Sequence, residues 1–180
     1  ALNPASVRAF TALYFRLGAA PRKQATVIHY DPYFFPLDGV GAWNRIYGRR
    51  GFLQHQCVIP PDNAHGVLSE IIERFVRSGK ASFLAVLKKL GAGSGLLSFP
   101  MHGYTLALDL HVHDDIFPLL QEIDRLVVRA GGRLYLAKDA RQSRETFEQG
   151  YPMLHEFRQI RRELGAERHL SSRLSTRLGI

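Results

Sequence analysis

One regularity constrains this chain more than any other. Residues 51–85 and 103–137 align without a gap at an offset of 52. Gly51 matches Gly103, Asp62 matches Asp114, Leu68 matches Leu120, and Glu70-Ile71 matches Glu122-Ile123. Val76-Arg77 then matches Val128-Arg129, Gly79 matches Gly131, and Leu84-Ala85 matches Leu136-Ala137. Each copy reads as strand, helix, strand. FLQHQCVI is a β-branched and apolar run stopped by Pro60 and Pro61. Asp62 is positioned to cap a helix that carries Val67, Leu68, Ile71, Ile72, Phe75 and Val76 at helical spacing. Gly79 ends it and SFLAVLK follows. The second copy runs YTLALDLH, then Asp114 as cap, a helix through Val127 to Gly131, and RLYLAKD. Two such units make βαββαβ, so the expected fold class is α+β: a ferredoxin-like antiparallel sheet with both helices on one face.

The flanks are less regular. Asn3-Pro4 reads as an N-cap and first helical residue, with Val7, Phe10, Leu13, Tyr14 and Leu17 on the helix and Gly18 at its end. After Arg22 and Lys23, ATVIHYDPYFF has strand composition, with Pro32 marking an edge or a bend. FPLDGVGAWNRIYGRRG is turn chemistry around the only tryptophan, Trp43, whose expected role is a hydrophobic plug. Past Asp139, segments 143–150, 151–164 and 170–178 read as short basic helices, an appendage expected to pack on something rather than to form its own core.

A chain of 180 residues with 46% hydrophobic content can bury a real core. No apolar run reaches the length of a membrane span and no signal-peptide pattern opens the chain, which predicts a cytoplasmic location. The one cysteine, Cys57, excludes an internal disulfide and sits in a strand as a small buried hydrophobe. The net charge of +8 is uneven. Residues 1–61 carry 7 basic and 2 acidic side chains, residues 62–140 carry 9 and 9, and residues 141–180 carry 8 and 5. A neutral middle with basic flanks suits docking to something anionic, another domain or a phosphorylated cofactor included.

Alternation along the strands sorts the polar residues. Gln54 and Gln56 share one face, while Leu53, His55 and Cys57 take the other. Thr105, Ala107 and Asp109 oppose Leu106, Leu108 and Leu110. With Lys88 and Lys138 at strand ends, the helix-free face gathers Gln54, Gln56, Lys88, Thr105, Asp109 and Lys138, a hydrogen-bonding surface suited to a sugar or polyol. His111 and His113 form an HxH pair, but no carboxylate or cysteine completes a ligand set, so no metal site is expected. GAGSG lacks the lysine and helix of a phosphate loop. An RNA-binding module of the same topology would need aromatic side chains where Thr105, Ala107 and Asp109 stand, so nucleic acid is not the expected partner.

FFPLDGVGAWNRIYGRRGFLQHQCVIP, SFLAVLKKLG, LSFPMHGYTLALD, GGRLYLAKDAR and ETFEQGYPMLHEF, in that order, carry a resemblance from about Pro36 onward. They resemble the C-terminal half of FAD-linked oxidases of the vanillyl-alcohol oxidase superfamily, the decaprenylphosphoryl-β-D-ribose 2-oxidase and aldonolactone oxidase families in particular. The resemblance implies that residues 1–132 correspond to the substrate (cap) domain. It implies that residues 133–180 pack back on an FAD-binding domain of the same polypeptide, which is expected to be absent here along with bound FAD and activity. It further implies that Gln54, Gln56 and Lys88 bind substrate and that Lys138 is catalytic at the flavin. It implies too that Tyr135 touches FAD, which requires the strand to twist or end between Tyr135 and Lys138. Phe34 falls where the ribose oxidases have a pocket tyrosine, and Ala107 where mycobacterial members have a cysteine. Those two, with Thr105, complete the implied substrate pocket. The implied substrate is a small sugar, sugar lactone or polyol bearing a CH–OH group, with peripheral membrane association if it is lipid-linked.

Overall fold

In a computed structural model, residues 4–18, 27–35, 38–39, 41–80 and 82–180 are described. They fall into two compact units, 1–52 and 53–180.

The first unit holds helix α1 (Pro4–Gly18), a short helix α2 (Tyr30–Phe34) and a 3-10 turn over Trp43–Tyr47. Asn3, expected to cap α1, and the basic link of Arg22 and Lys23 lie outside the described residues, as does the start of the expected strand at 25–26. Its remainder is a correction. Tyr30–Phe34 is helical, with the Asp31 N–H donating to Nδ1 of His29 at the N-cap. Proline is tolerated in a first helical turn, where its missing N–H would go unpaired anyway. Asp31 in that turn also favours the helix dipole. Trp43, Tyr47 and Phe52 form an aromatic group, with Tyr47 stacked on Phe52 at 4.6 Å and Trp43 5.4 Å from Phe52. That matches the plug expected of Trp43.

The second unit is the βαββαβ sheet. Strand β1 spans Phe52–Ile59, helix α3 Pro61–Ser78, β2 Ser82–Leu90, β3 Gly103–His111, helix α4 Ile116–Arg129 and β4 Arg133–Leu134. The strands lie in the order β2-β3-β1-β4 as an antiparallel sheet. The core joins Cys57 and Ile59 of β1 and Leu106, Leu108 and Leu110 of β3 to Leu68, Ile71 and Phe75 of α3 and Leu120, Ile123 and Val127 of α4. Both helices therefore cover the face that alternation assigned to Cys57 and the leucines.

Local chemistry departs from the expectation at the helix starts. Pro60 is the N-cap of α3 and Asp62 stands inside its first turn, without a capping bond. Asp115, not Asp114, precedes α4. Each aspartate still lies close to a helix N-terminus, where a carboxylate opposes the partial positive charge of the free N–H groups.

The glycine pair is used as expected. Gly131 adopts φ +77°, which ends α4, and a Cβ on Gly132 would stand 2.4 Å from the Val58 carbonyl oxygen. Only glycine lets β4 approach β1 this closely.

The stretch after β4 is the second correction. RLYLAKD is not a strand throughout. Pairing stops near Tyr135, whose N–H donates to the Gln56 carbonyl at 2.9 Å, and Leu136–Lys138 is a 3-10 turn. Helices α5 (Arg144–Gly150), α6 (Leu154–Glu163) and α7 (Arg173–Leu178) follow. They are not a coreless appendage. Phe147, Tyr151, Leu154 and Leu178 form a second buried cluster, with Leu136 packed against it. That packing draws Leu136 out of strand geometry. The Tyr151 hydroxyl donates to the Leu134 carbonyl at 2.6 Å, which fastens the cluster to β4.

Candidate functional site

The helix-free face of the sheet carries an open cavity of about 170 Å³. It is lined by Gln54 and Gln56 from β1, by Leu84, Val86 and Lys88 from β2, and by Thr105, Ala107 and Asp109 from β3. Lys138, just beyond β4, completes the lining. The three strands contribute through the two-residue period, and the 3-10 turn after β4 adds Lys138. Antiparallel register sets Lys88 opposite Thr105 and Val86 opposite Ala107. A one-residue slip would have turned all of these residues under the helices.

The floor is polar and ordered. Thr105 and Asp109 are 1% and 2% exposed, respectively. Gln56 Nε2 donates to the Thr105 hydroxyl at 3.0 Å, which leaves that hydroxyl its own hydrogen to donate elsewhere. Gln54 Nε2 donates to Asp109 Oδ1 at 2.6 Å, whereas Asp109 Oδ2 is buried without a partner among the described residues. Burial pushes the Asp109 carboxyl above its ordinary value, against the opposing pulls of the Gln54 bond and the Lys138 charge. Lys88 and Lys138 are exposed at the rim. Lys138 makes no hydrogen bond or ion pair among the described residues.

A narrower cleft of about 10 Å³, room for one water, adjoins this cavity and shares Gln54, Gln56 and Lys138 with it. Tyr135 lines the cleft and stacks on Phe99 at 4.4 Å. The strand ends between Tyr135 and Lys138, and so both reach one cleft. Phe34, the remaining implied site residue, belongs to the first unit. It lies in α2 of the first unit, exposed, with Tyr33 edge-on at 5.0 Å.

A network of residues outside the sequence-derived set fixes the chain that follows Lys138. Asp139 Oδ1 accepts the N–H groups of Arg141 and Gln142, both at 2.8 Å, and its Oδ2 meets Arg177 of α7 at 2.8 Å. Arg141 grips Asp124 of α4 through two bonds of 2.5 and 2.8 Å. His55 Nε2 meets the same carboxylate at 3.1 Å beneath the sheet. Burial alone would raise the Asp124 carboxyl. The bonds from Arg141 and His55 outweigh it and hold the group below the ordinary range. Asp and Arg flanking a turn were visible in KDAR, but their partners 15 to 40 residues away were not.

His111 and His113 stack on each other at 4.2 Å, and no group of three or more potential metal ligands occurs among the described residues. None of the described helices is long and apolar enough to cross a membrane.

No family model matches the chain. The curated proteins it is similar to include the two that follow. One is a decaprenylphosphoryl-beta-D-ribose oxidase of Mycolicibacterium smegmatis, 38% identical over 167 residues, which are 92% of this chain and 36% of that protein. The other is an uncharacterized protein in the mprA 5'region of Streptomyces coelicolor, 35% identical over 185 residues, 99% of this chain and 48% of that protein. The chain thus spans between about a third and a half of the length of the curated relatives it matches. The resemblance carried by the motifs is thereby borne out, since nearly all of this chain is similar to part of an oxidase.

Proposed function

We propose that this chain is the substrate-binding part of an FAD-dependent oxidoreductase that oxidises a CH–OH group of a sugar, sugar lactone or polyol. The carrying observation is the convergence of Gln54, Gln56, Lys88, Thr105 and Lys138 on one cavity of the helix-free face. Its partner in this reading is an FAD-binding domain in the same polypeptide, on which residues 133–180 pack, with 1–132 as the substrate domain. A cytoplasmic location, with peripheral membrane attachment if the substrate is lipid-linked, belongs to the same proposal.

The residues present fit FAD. Lys138 is an exposed cation with no hydrogen bond or ion pair of its own among the described residues, standing where cleft and cavity meet. A charge held ready in that way stabilises electron density that accumulates beside it. Tyr135, held flat against Phe99, offers an aromatic edge at the same cleft. When bound, FAD supplies the two-electron acceptor for the hydride leaving carbon. The rest is binding and orientation. Lys88 and the Thr105 hydroxyl donate to ligand oxygens, the two glutamines fix the floor, and Leu84 and Val86 exclude water from one wall.

The test uses the full-length FAD-loaded protein. Lys138→Ala should slow anaerobic cofactor reduction by a sugar, aldonolactone or polyol substrate by about a hundredfold or more, with FAD content unchanged. Lys138→Arg should rescue poorly, because a planar guanidinium does not occupy the position of a compact ammonium. Near-native reduction by Lys138→Ala at full FAD occupancy would sink the assignment.

A further inference from the structure

We propose that Asp109 is the proton acceptor of this site, its Oδ2 receiving the hydrogen of the substrate hydroxyl. The inference rests on the functional reading above and supplies the base that reading leaves open.

Among the side chains lining the cavity, only Asp109 can hold a transferred proton. Lys88 and Lys138 as ammonium groups are donors only, the amides of Gln54 and Gln56 are not basic, and Thr105 is an alcohol. The remaining lining residues, Leu84, Val86 and Ala107, are apolar. Geometry narrows this to one atom. Oδ1 is engaged by Gln54 at 2.6 Å, which fixes the carboxylate plane, while Oδ2 is buried and unpartnered on a residue 2% exposed. A buried carboxylate oxygen with no donor is destabilising, by several times the net worth of an ordinary hydrogen bond. A ligand hydroxyl supplies the missing donor. The lysines cannot substitute, since neither hydrogen-bonds the carboxylate although both line the cavity.

The electrostatic surroundings support the assignment. Charged or titratable groups around Asp109 are Lys138 from beyond β4, Lys88 from β2, and His111 two residues along β3. His111 is turned away, its Nδ1 against the Val112 carbonyl and its ring on His113. Ser82 of β2 bonds only the Asp109 backbone. Burial makes the carboxylate a stronger base than one in water, which suits it to take a hydroxyl proton.

The step balances. The O–H bond breaks and its proton goes to Asp109 Oδ2, giving the carboxylic acid. The O–H electron pair becomes the second carbon–oxygen bond. The C–H hydrogen leaves with its electron pair to FAD, the two-electron acceptor, so the substrate loses two electrons and two hydrogens.

In the full-length FAD-loaded protein, Asp109→Asn should lower the rate of cofactor reduction by about 10²- to 10⁴-fold, the usual range for removing a general base. The increase of that rate with pH, as the carboxyl ionises, should vanish. Asp109→Glu should restore the pH dependence at a reduced rate, which a merely structural role would not produce. Infrared titration of the protein, independent of turnover, should show a carboxylic acid band in the wild type that Asp109→Asn lacks. A variant with native rate and native pH profile overturns the inference, as does an infrared titration identical in the two proteins. If the FAD-loaded wild type is reduced by no sugar, lactone or polyol, the functional reading fails and the inference with it. Wild-type reduction matched by Asp109→Asn overturns the inference alone.

Discussion

Asp109 weakens the fold that holds it. Its folded-state carboxyl titrates above the ordinary aspartate range, so the native state binds that proton more tightly than the unfolded chain does. The sign follows from linkage: the group's effect on stability is least adverse at low pH and grows more adverse as pH rises through the shifted value. Asp109→Asn keeps an acceptor for Gln54 and removes the buried charge. It should raise the melting temperature at neutral pH, with the gain shrinking as pH falls from the raised value toward the ordinary aspartate range and absent below it. Calorimetry at neutral and acid pH would read it, and a less stable variant at neutral pH would refute it. A stabilising change at a cavity floor is what a site kept for chemistry predicts. The two-residue period revealed the face of Asp109 but not its depth. Depth comes from β3 lying between β2 and β1, a matter of strand order that alternation does not encode. Cys57 was legible throughout. It lies fully buried in the core, and burial pushes its thiol up to about 12, far from a reactive thiolate.

At the scale of elements, the turn carrying Lys138 is set by ionic anchors rather than by strand pairing. Asp124, beneath the sheet, keeps its charge because Arg141 and His55 bond it. Arg141→Leu would leave that carboxylate buried without its main partner, at about 3–5 kcal/mol in urea denaturation at neutral pH. The Asp124 carboxyl lies below the ordinary range. Its stabilising contribution is therefore fully present above the unfolded value and is lost as pH falls through the folded one. The variant's deficit should accordingly narrow in acid, and a deficit that widens there would contradict the role given to Asp124. The repeat shows what pattern alone omits. Leu84-Ala85 and Leu136-Ala137 are identical dipeptides at equivalent positions, yet Ala85 pairs with Leu108 while Leu136–Lys138 turns. The dipeptide is the same, although Val86 follows one copy and Lys138 the other. What differs is the second cluster, which takes up Leu136, and Asp139, whose backbone N–H closes the turn on the Leu136 carbonyl. Tyr30–Phe34 erred in the opposite direction, because a strand-like composition lost to a histidine cap and a proline that a first helical turn accepts.

For the molecule as a whole, the sheet presents two unlike edges. One ends at β4, two residues long and tied down by Tyr151. The other ends at β2, nine residues long, neighboured in the strand order only by β3. A strand of that length at the end of a sheet is a template on which a second copy can add, and Leu87 on it is 61% exposed. Lys88 and Lys89 stand beside that leucine, one on each face of the sheet. Two such strands meeting edge to edge would bring like charges together and desolvate them. Under the function proposed above, Lys88 therefore has two duties, one toward the ligand and one toward other copies of the chain. Lys89 has only the second. Lys89→Thr should leave ligand affinity unchanged while lowering the protein concentration at which light scattering first rises. A scattering onset equal to that of the wild type would remove the second duty. A lysine pair on one edge strand, only one member of which lines the cavity, would then set how concentrated this protein can be before its molecules begin to pair.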